Sequence, residues 1–201
     1  MIIKTSNLAS SRRQFLTRTV PVGALVCMGC KSLFAGLGQE SKFSENPGMT
    51  TEEMFRFFYG AFIPTLQFLA KSISRDKLVK ELTKASAENY AQMMAAMAKD
   101  LPKRDMKAFA GLMETMMATA PSNKAFAYEI VESSDKVNQM KFTQCLPAKL
   151  WREMDAADLG YALECSTVDA MAKAFNPKMK GAVLKTLMKG DNYCLVRFEL
   201  V

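Results

Sequence analysis

The sequence predicts an α+β fold, in which a helical amino-terminal half packs on a small antiparallel-sheet domain with short helices. Two changes of pattern predict this fold. Apolar residues recur with a helical period over residues 50–120, and with a period near two over much of residues 121–201, where two hairpin signatures occur. The apolar fraction of 49% and the charged fraction of 23% are ordinary for a globular protein, so the chain is expected to fold.

The first 35 residues (1–35) are typical of a bacterial twin-arginine export signal. Arg12 and Arg13 stand in S-S-R-R-Q-F-L, and the apolar run that follows is too short to span a membrane. Cys30 ends a motif similar to a lipoprotein cleavage site, so two outcomes stay open: acylation of Cys30, or ordinary cleavage near Ala35. We expect the twin-arginine translocase to deliver the protein to the periplasm, free or lipid-anchored.

A flexible linker is predicted over residues 36–49, which are rich in Gly and Ser. Helices follow it. Thr50 with Glu53 has the pattern of a capping box at the start of the first helix, which Pro64 should kink or divide into two segments. Ser74 is expected to cap a second helix, and Pro102 to open a third.

Methionines and phenylalanines are unusually frequent in these helices. Seven methionines lie between Met93 and Met117. Thioether sulfur suits Cu(I), but helical spacing favours packing in a core or an interface. The phenylalanines of the first helix, among them Phe57 and Phe68, are interpreted in the same way, as core residues or as the surface of a homodimer.

The carboxy-terminal half is predicted to contain four strands. F-A-Y-E-I-V-E and V-N-Q-M-K-F-T-Q-C flank the turn S-S-D-K, while A-V-L-K-T-L-M and Y-C-L-V-R-F-E-L flank K-G-D-N. Between the two hairpins we expect helices over residues 146–155 and 167–174. The stretch from Leu159 to Glu164 is interpreted as a short strand or turn.

Charge and composition exclude several classes of function. The formal charge is +7, but five of the 27 basic residues precede position 32, and the remaining 22 face 20 acidic residues. This nearly neutral body argues against nucleic-acid binding, which needs clustered excess Lys and Arg. The chain has no histidine, so acid–base chemistry must use Asp, Glu, Lys, Tyr or Cys, and imidazole-based catalytic triads are excluded.

A series of motifs in the carboxy-terminal half carries a family resemblance. In order they are F-T-Q-C, L-G-Y, C-x-x-x-D, F-N-P-K, K-T-L-M and G-D-x-x-C-x-x-R-F. Over residues 125–201 the series resembles the L-2-amino-thiazoline-4-carboxylic acid hydrolase family, and its end is similar to the end of 4-vinyl reductase domains, which bind small molecules. The first resemblance implies an enzyme that opens a cyclic amidine by hydrolysis of a C–N bond.

The resemblance also implies catalytic residues. Cys165 or Cys194 would supply a nucleophile or activate water, and Asp169 or Asp191 would act as general base. Asp191 has a simpler structural explanation, because it follows a glycine in a turn, where aspartate often bonds to nearby backbone.

Substrate-binding residues are implied as well. Arg197 or Lys185 would bind the substrate carboxylate, and Asn176 and Cys145 complete the family positions. Asn176 precedes a proline and is equally typical of a turn, while Arg197 lies on a strand of period two and could face solvent.

Three cysteines, Cys145, Cys165 and Cys194, permit three arrangements. They could form one disulfide with a free thiol, a thiolate metal site completed by a carboxylate such as Glu164 or Asp169, or free thiols of which one reacts. No C-x-x-C motif occurs in the folded body, and Thr186 stands where 4-vinyl reductase domains usually carry a cysteine. Both observations argue against a bound metal, so we expect no cofactor.

Three functions therefore compete, and each predicts a different structure. A hydrolase predicts a pocket in which a cysteine approaches an acid and Arg197 or Lys185 points inward. A module that binds a small molecule without converting it predicts an apolar cavity with packed or cross-linked cysteines. An accessory subunit of an exported redox enzyme predicts an exposed apolar face on the helices.

Overall fold

A computed structural model describes residues 48–201, and it confirms the α+β fold. The export signal with Arg12, Arg13 and Cys30 lies outside the described residues, as does most of the linker. The elements, in chain order, are α1 (Thr51–Ile73), α2 (Arg75–Met97), α3 (Met106–Ala118), α4 (Ser122–Ala125), β1 (Phe126–Ser133), β2 (Val137–Cys145), α5 (Leu146–Glu153), α6 (Ala157–Gly160), a π-helical turn (Tyr161–Cys165), α7 (Val168–Phe175), β3 (Met179–Lys185), a 3₁₀ turn (Leu187–Lys189) and β4 (Cys194–Leu200).

Helix α1 begins as predicted but is not divided. The Thr50 side chain accepts a hydrogen bond from the backbone N–H of Glu53, and the Glu53 carboxylate accepts one from the backbone N–H of Thr50, which completes the capping box. Pro64 lies inside one continuous helix. The prediction of two segments was wrong because Ile63 and Leu66, on either side of the proline, are both buried in the core and hold the helix together.

Helix α2 begins after Ser74, whose hydroxyl accepts from the backbone N–H of Lys77, as expected. Helix α3 begins later than predicted. Asp105, not Pro102, marks its start, because the Asp105 carboxylate accepts from the backbone N–H of Ala108 and caps the first turn.

The segment interpreted as a strand or turn, Leu159 to Glu164, is helical. Gly160 explains part of the difference. A Cβ atom at this position would lie 2.5 Å from Cγ of the buried Trp151, so the absence of a side chain lets helix α6 pack directly on the indole ring. Tertiary packing, which local sequence does not report, decides the structure here.

The four strands form one antiparallel sheet in the order β1-β2-β4-β3. The first hairpin turns as predicted, with the Ser134 hydroxyl accepting from the backbone N–H of Val137. The turn of the second hairpin is longer than predicted. Strand β3 ends at Lys185, and the 3₁₀ turn replaces the rest of the expected strand. Gly190 closes that turn with a φ of 97°, a conformation that favours glycine.

Two hydrophobic cores hold the molecule together, and each contains residues from both halves of the chain. One surrounds Trp151 and is covered by α1 and the start of α2. The other lies among the end of α2, helices α3 and α7, and the sheet. Phe57 and Phe68 belong to neither, being 71% and 68% exposed, so their interpretation as core was wrong and the homodimer surface stays a prediction.

Candidate active site

The π-helical turn positions the most unusual side chains of the protein. Its widened hydrogen bond runs from the backbone N–H of Ser166 to the carbonyl of Tyr161, at 2.9 Å. The Ser86 hydroxyl donates to the carbonyl of Leu163 at 2.6 Å and fixes the turn to helix α2. Such single π turns often occur at functional sites, and this one carries Glu164 and Cys165.

Glu164 places a carboxyl group inside the protein. The Tyr59 hydroxyl donates to its Oε1 at 2.8 Å. Burial raises the pKa of Glu164, and hydrogen bonding from Tyr59 opposes that rise, as do the nearby Trp151 and Tyr90 side chains. The Trp151 indole N–H makes no hydrogen bond of ordinary geometry, but it also lowers this pKa. Because burial dominates, the carboxyl group keeps its proton to higher pH than an exposed glutamate does.

The three cysteines lie near this carboxyl group as free thiols. The sulfur atoms of Cys165 and Cys194 each lie 3.8 Å from the hydroxyl oxygen of Thr186, which therefore links them. The Cys194 sulfur also accepts from the backbone N–H of Leu187 at 3.3 Å. Burial raises the pKa of Cys165 to about 12 and raises that of Cys145 further, so both are neutral thiols at physiological pH.

A cavity of about 790 Å³ opens beside these groups. Its walls come from α2, α3, the π-helical turn, α7 and the inner face of the sheet. Part of the Glu164 side chain remains accessible inside it. The wall is rich in sulfur: besides the three cysteines it contains Met93, Met97, Met113, Met116, Met117, Met140, Met171 and Met188.

Neither predicted cation faces the cavity. Val196 and Phe198 of β4 line it, so Arg197 between them points to the opposite face of the sheet, where it contacts Glu132 and Glu199. Lys185 is exposed, with its ammonium group 4.7 Å from the centre of the Tyr193 ring. The inward-pointing cation that a carboxylate substrate requires is therefore not found at either position.

The other predicted polar positions do not line the cavity, and each has a structural partner. Asp169 pairs with Lys173 at 2.6 Å and accepts from the backbone N–H of Gly181. Asp191 accepts from the backbone N–H of Thr186 at 2.7 Å, which is the turn role expected of it.

Asn176 ties the end of α7 to the segment before α3. Its amide donates to the carbonyl of Arg104 at 2.7 Å, and its side-chain oxygen accepts from the backbone N–H of Lys178. Of the eight predicted site residues, the structure brings only Cys145, Cys165 and Cys194 to the cavity.

Two residues of the site were missed from the sequence. Glu164 was considered only as a metal ligand, and Thr186 only as a substitution for a cysteine. The sequence held one signal for Glu164, which is an acid inside the apolar run A-L-E-C. Burial of a carboxyl group is costly, so an acid in such a run indicates a functional or structural role. Over residues 48–201, no group of three or more Cys, Asp or Glu side chains is arranged to hold a metal ion.

A family model described as L-2-amino-thiazoline-4-carboxylic acid hydrolase matches residues 54–198. The chain belongs to this family. The match begins in α1 and ends in β4, so it confirms the family identified from the carboxy-terminal motifs and extends it over the helical half. No curated protein matches the chain. In the described part of the chain, no helix is long and apolar enough to cross a membrane.

Proposed function

We propose that the chain hydrolyses the C–N bond of a cyclic amidine in the cavity beside Glu164, the ring opening that the name of its family describes. One observation carries the proposal: a carboxyl group whose pKa is raised by burial borders an apolar cavity, next to thiol and hydroxyl groups. Enzymes raise the pKa of a glutamate in this way where it must both donate and accept a proton near neutral pH.

The shape and charge of an amidine suit this carboxyl group. An amidine carries two nitrogen atoms on one carbon, and its cation can donate two parallel hydrogen bonds to the two carboxylate oxygens, as a guanidinium group does. A neutral amidine that enters the cavity takes the proton of Glu164 and forms this pair. The amidinium cation and the Glu164 carboxylate then compensate each other, so neither charge is buried without a partner.

The reaction follows from that pair with atoms and protons balanced. Water adds through its oxygen to the amidine carbon, and the Glu164 carboxylate takes one of its protons. The ring C–N bond then breaks, its electron pair stays on nitrogen, and the carboxyl group returns the proton to that nitrogen. The hydroxyl on the carbon gives its proton to the Glu164 carboxylate and becomes a carbonyl, which restores the protonated carboxyl group, and the product is a carbamoyl group with a free amine.

Water is a better nucleophile than Cys165 in this site. Only a thiolate attacks carbon efficiently, and burial raises the pKa of the Cys165 thiol to about 12. Cys165 and Cys194, with Thr186 between them, instead form a wall that positions the ring. A covalent thiol route remains the alternative, and it predicts that one cysteine is indispensable.

The test is thiazoline ring opening by the wild-type chain and four variants. Glu164→Gln should lower kcat by about 10² or more, because it removes the group that moves the proton. The matched change Glu114→Gln, at an exposed position of α3, should leave kcat unchanged. If Cys165→Ala or Cys194→Ala loses as much activity as Glu164→Gln, a covalent thiol step replaces the water mechanism; full activity of Glu164→Gln overturns the proposal.

A second candidate, binding of a small molecule without conversion, is favoured by one observation. The described wall of the cavity contains no lysine or arginine, and its cysteines are free thiols, two of which, Cys145 and Cys165, burial keeps neutral, as expected of a binding module. Tight binding of a thiazoline that is recovered intact after long incubation would support this candidate over the hydrolase.

A further inference from the structure

The charged side chains on the cavity wall indicate which class of cyclic amidine can bind there. Glu164 is the only Asp, Glu, Lys or Arg side chain on its described wall. An anionic group transferred from water into such a site loses its hydration and meets no cation in return, which is strongly unfavourable. The thiazoline carboxylate after which the family is named carries such a group.

Basic side chains do occur close to the site, but they already contact other groups. The Lys189 ammonium group, whose charge acts on Cys165, lies 3.5 Å from the centre of the Tyr161 ring. A second depression contains Lys149 and Arg152, and it shares Cys145 with the cavity wall. The Lys149 ammonium group pairs with Glu52 at 2.9 Å, and Arg152 donates to the carbonyl of Leu187 at 3.3 Å. A carboxylate in the cavity would have to displace these partners and cross the wall at Cys145 to reach either cation.

The size and lining of the cavity point in the same direction. Cavities of about 300–1,000 Å³ enclose drug-sized ligands, and this one measures about 790 Å³, whereas the thiazoline carboxylate is one five-membered ring with two small substituents. Methionine side chains from α2 and α3 cover much of the wall, and they adapt to apolar ligands of varied shape. Met97 is 38% exposed and lines the same cavity, so it lies at the mouth.

We propose that the substrate is a cyclic amidine with an apolar substituent in place of the carboxylate. The amidine pairs with Glu164 beside Cys165 and Thr186, and the apolar body extends along the methionines of α2 and α3 towards Met97. This inference rests on the proposed function in one respect, because it takes the cavity at Glu164 as the substrate site. It differs in naming the substrate class that the wall selects.

The test compares 2-amino-4-phenyl-thiazoline with 2-amino-thiazoline-4-carboxylate by calorimetry and by turnover. The phenyl compound should bind at least about tenfold more tightly, since it buries an aromatic ring against the methionines and brings no anion. Burial raises the pKa of Glu164, so its pairing with an amidine that is a cation in water should release protons, and more of them from the wild-type chain than from Glu164→Gln. Titrations in two buffers of different ionisation enthalpy measure the protons released.

Matched variants test the missing cation directly. Met97→Arg places a guanidinium group at the mouth and should shift the binding ratio at least about tenfold towards the carboxylate compound. Phe57→Arg adds the same charge at an exposed position outside the cavity and should leave the ratio unchanged. Thermal unfolding of each variant confirms that the protein is folded.

The possible outcomes separate the substrate class from the reaction. Tighter binding of the carboxylate compound by the wild-type chain overturns the substrate class, and its hydrolysis would still support the proposed function. Tight binding of the phenyl compound without hydrolysis supports the selectivity of the cavity and contradicts the proposed function. Failure to bind either compound overturns both.

Discussion

At the scale of single residues, Glu164 should make the stability of the protein depend on pH. Its folded-state pKa is raised by burial above the unfolded value of 4.5. Below that value both states hold the proton, and the full stability is present. As pH rises, the unfolded chain releases the proton first, so the free energy of unfolding falls by up to about 1.4 kcal/mol per pH unit until the folded-state pKa is passed.

Glu164→Gln removes this dependence. The free energy of unfolding of the variant, minus that of the wild type, should increase between pH 4.5 and the folded-state pKa and then level off. Urea unfolding followed by fluorescence of the single tryptophan, Trp151, measures it. Glu114→Gln, at an exposed position, is the control and should give a constant difference. A constant difference for Glu164→Gln would contradict the raised pKa.

Burial should also protect the thiols from alkylation. With a pKa of about 12 in place of 9.0, Cys165 holds about a thousandfold less thiolate at pH 8. Iodoacetamide should therefore modify Cys165 at least about a hundredfold more slowly in the folded protein than in urea, as measured by peptide mass mapping. The substitution Ser72→Cys, at an exposed position, reports the unprotected rate in the same sample. Equal rates at both positions would show that Cys165 is accessible and ionised.

Some residues of the site could be predicted from the sequence, and others could not. Cys145, Cys165 and Cys194 could be selected because they stand in recognisable motifs, and the structure brings them together. Arg197 and Lys185 stand in the same series of motifs and were assigned to the substrate carboxylate because they are cations, but the pleat of the sheet turns Arg197 away from the cavity. Glu164 gains its chemistry from burial, which no local pattern of the sequence encodes.

At the scale of elements, the contact between helix α6 and Trp151 can be tested with one methyl group. In Gly160→Ala the new Cβ would lie 2.5 Å from Cγ of Trp151 and 2.9 Å from the Met188 sulfur. Relief of this clash should cost about 1–3 kcal/mol of unfolding free energy. It should also displace the π-helical turn that follows and lower ligand affinity.

Gly111→Ala provides the matched control for that variant. Gly111 lies within helix α3, and nothing would lie within 4 Å of its new Cβ. The change should therefore stabilise the protein by about 0.4–1 kcal/mol, because alanine loses less backbone entropy on folding. Chemical unfolding curves for the two variants compare them directly, and similar stability of both would show that Gly160 does not make the close contact.

The elements themselves were predictable where short-range hydrogen bonds define them. The Thr50 capping box, the Ser74 cap and the Ser134 turn each depend on residues within four positions of one another, and each is found as predicted. Prediction failed at Gly160 and in the division of α1 at Pro64, where packing against distant residues decides the structure. The π-helical turn, which forms the site, belongs to this second group.

At the scale of the whole molecule, the cavity lies between parts that are far apart in sequence. Helices α2 and α3 from the amino-terminal half close over the sheet and α7 from the other half. The resemblance over residues 125–201 could therefore identify the family but not describe the site, because part of the wall comes from helices whose sequence pattern indicates only core packing. The family match over residues 54–198 covers both sides of the cavity.

We propose that this molecule is exported after it has folded. The twin-arginine route carries folded proteins, and a chain whose three thiols are already packed would enter an oxidising compartment protected from disulfide formation. Export predicts a mature protein that either begins at an acylated Cys30 or has lost about the first 35 residues. Intact-mass measurement of the periplasmic and membrane fractions distinguishes these two products, and it also shows whether the thiols remain reduced.

The variant Arg12→Lys with Arg13→Lys should leave the precursor in the cytoplasm at its full mass. A wild-type protein that retains its first 30 residues in every fraction would contradict export.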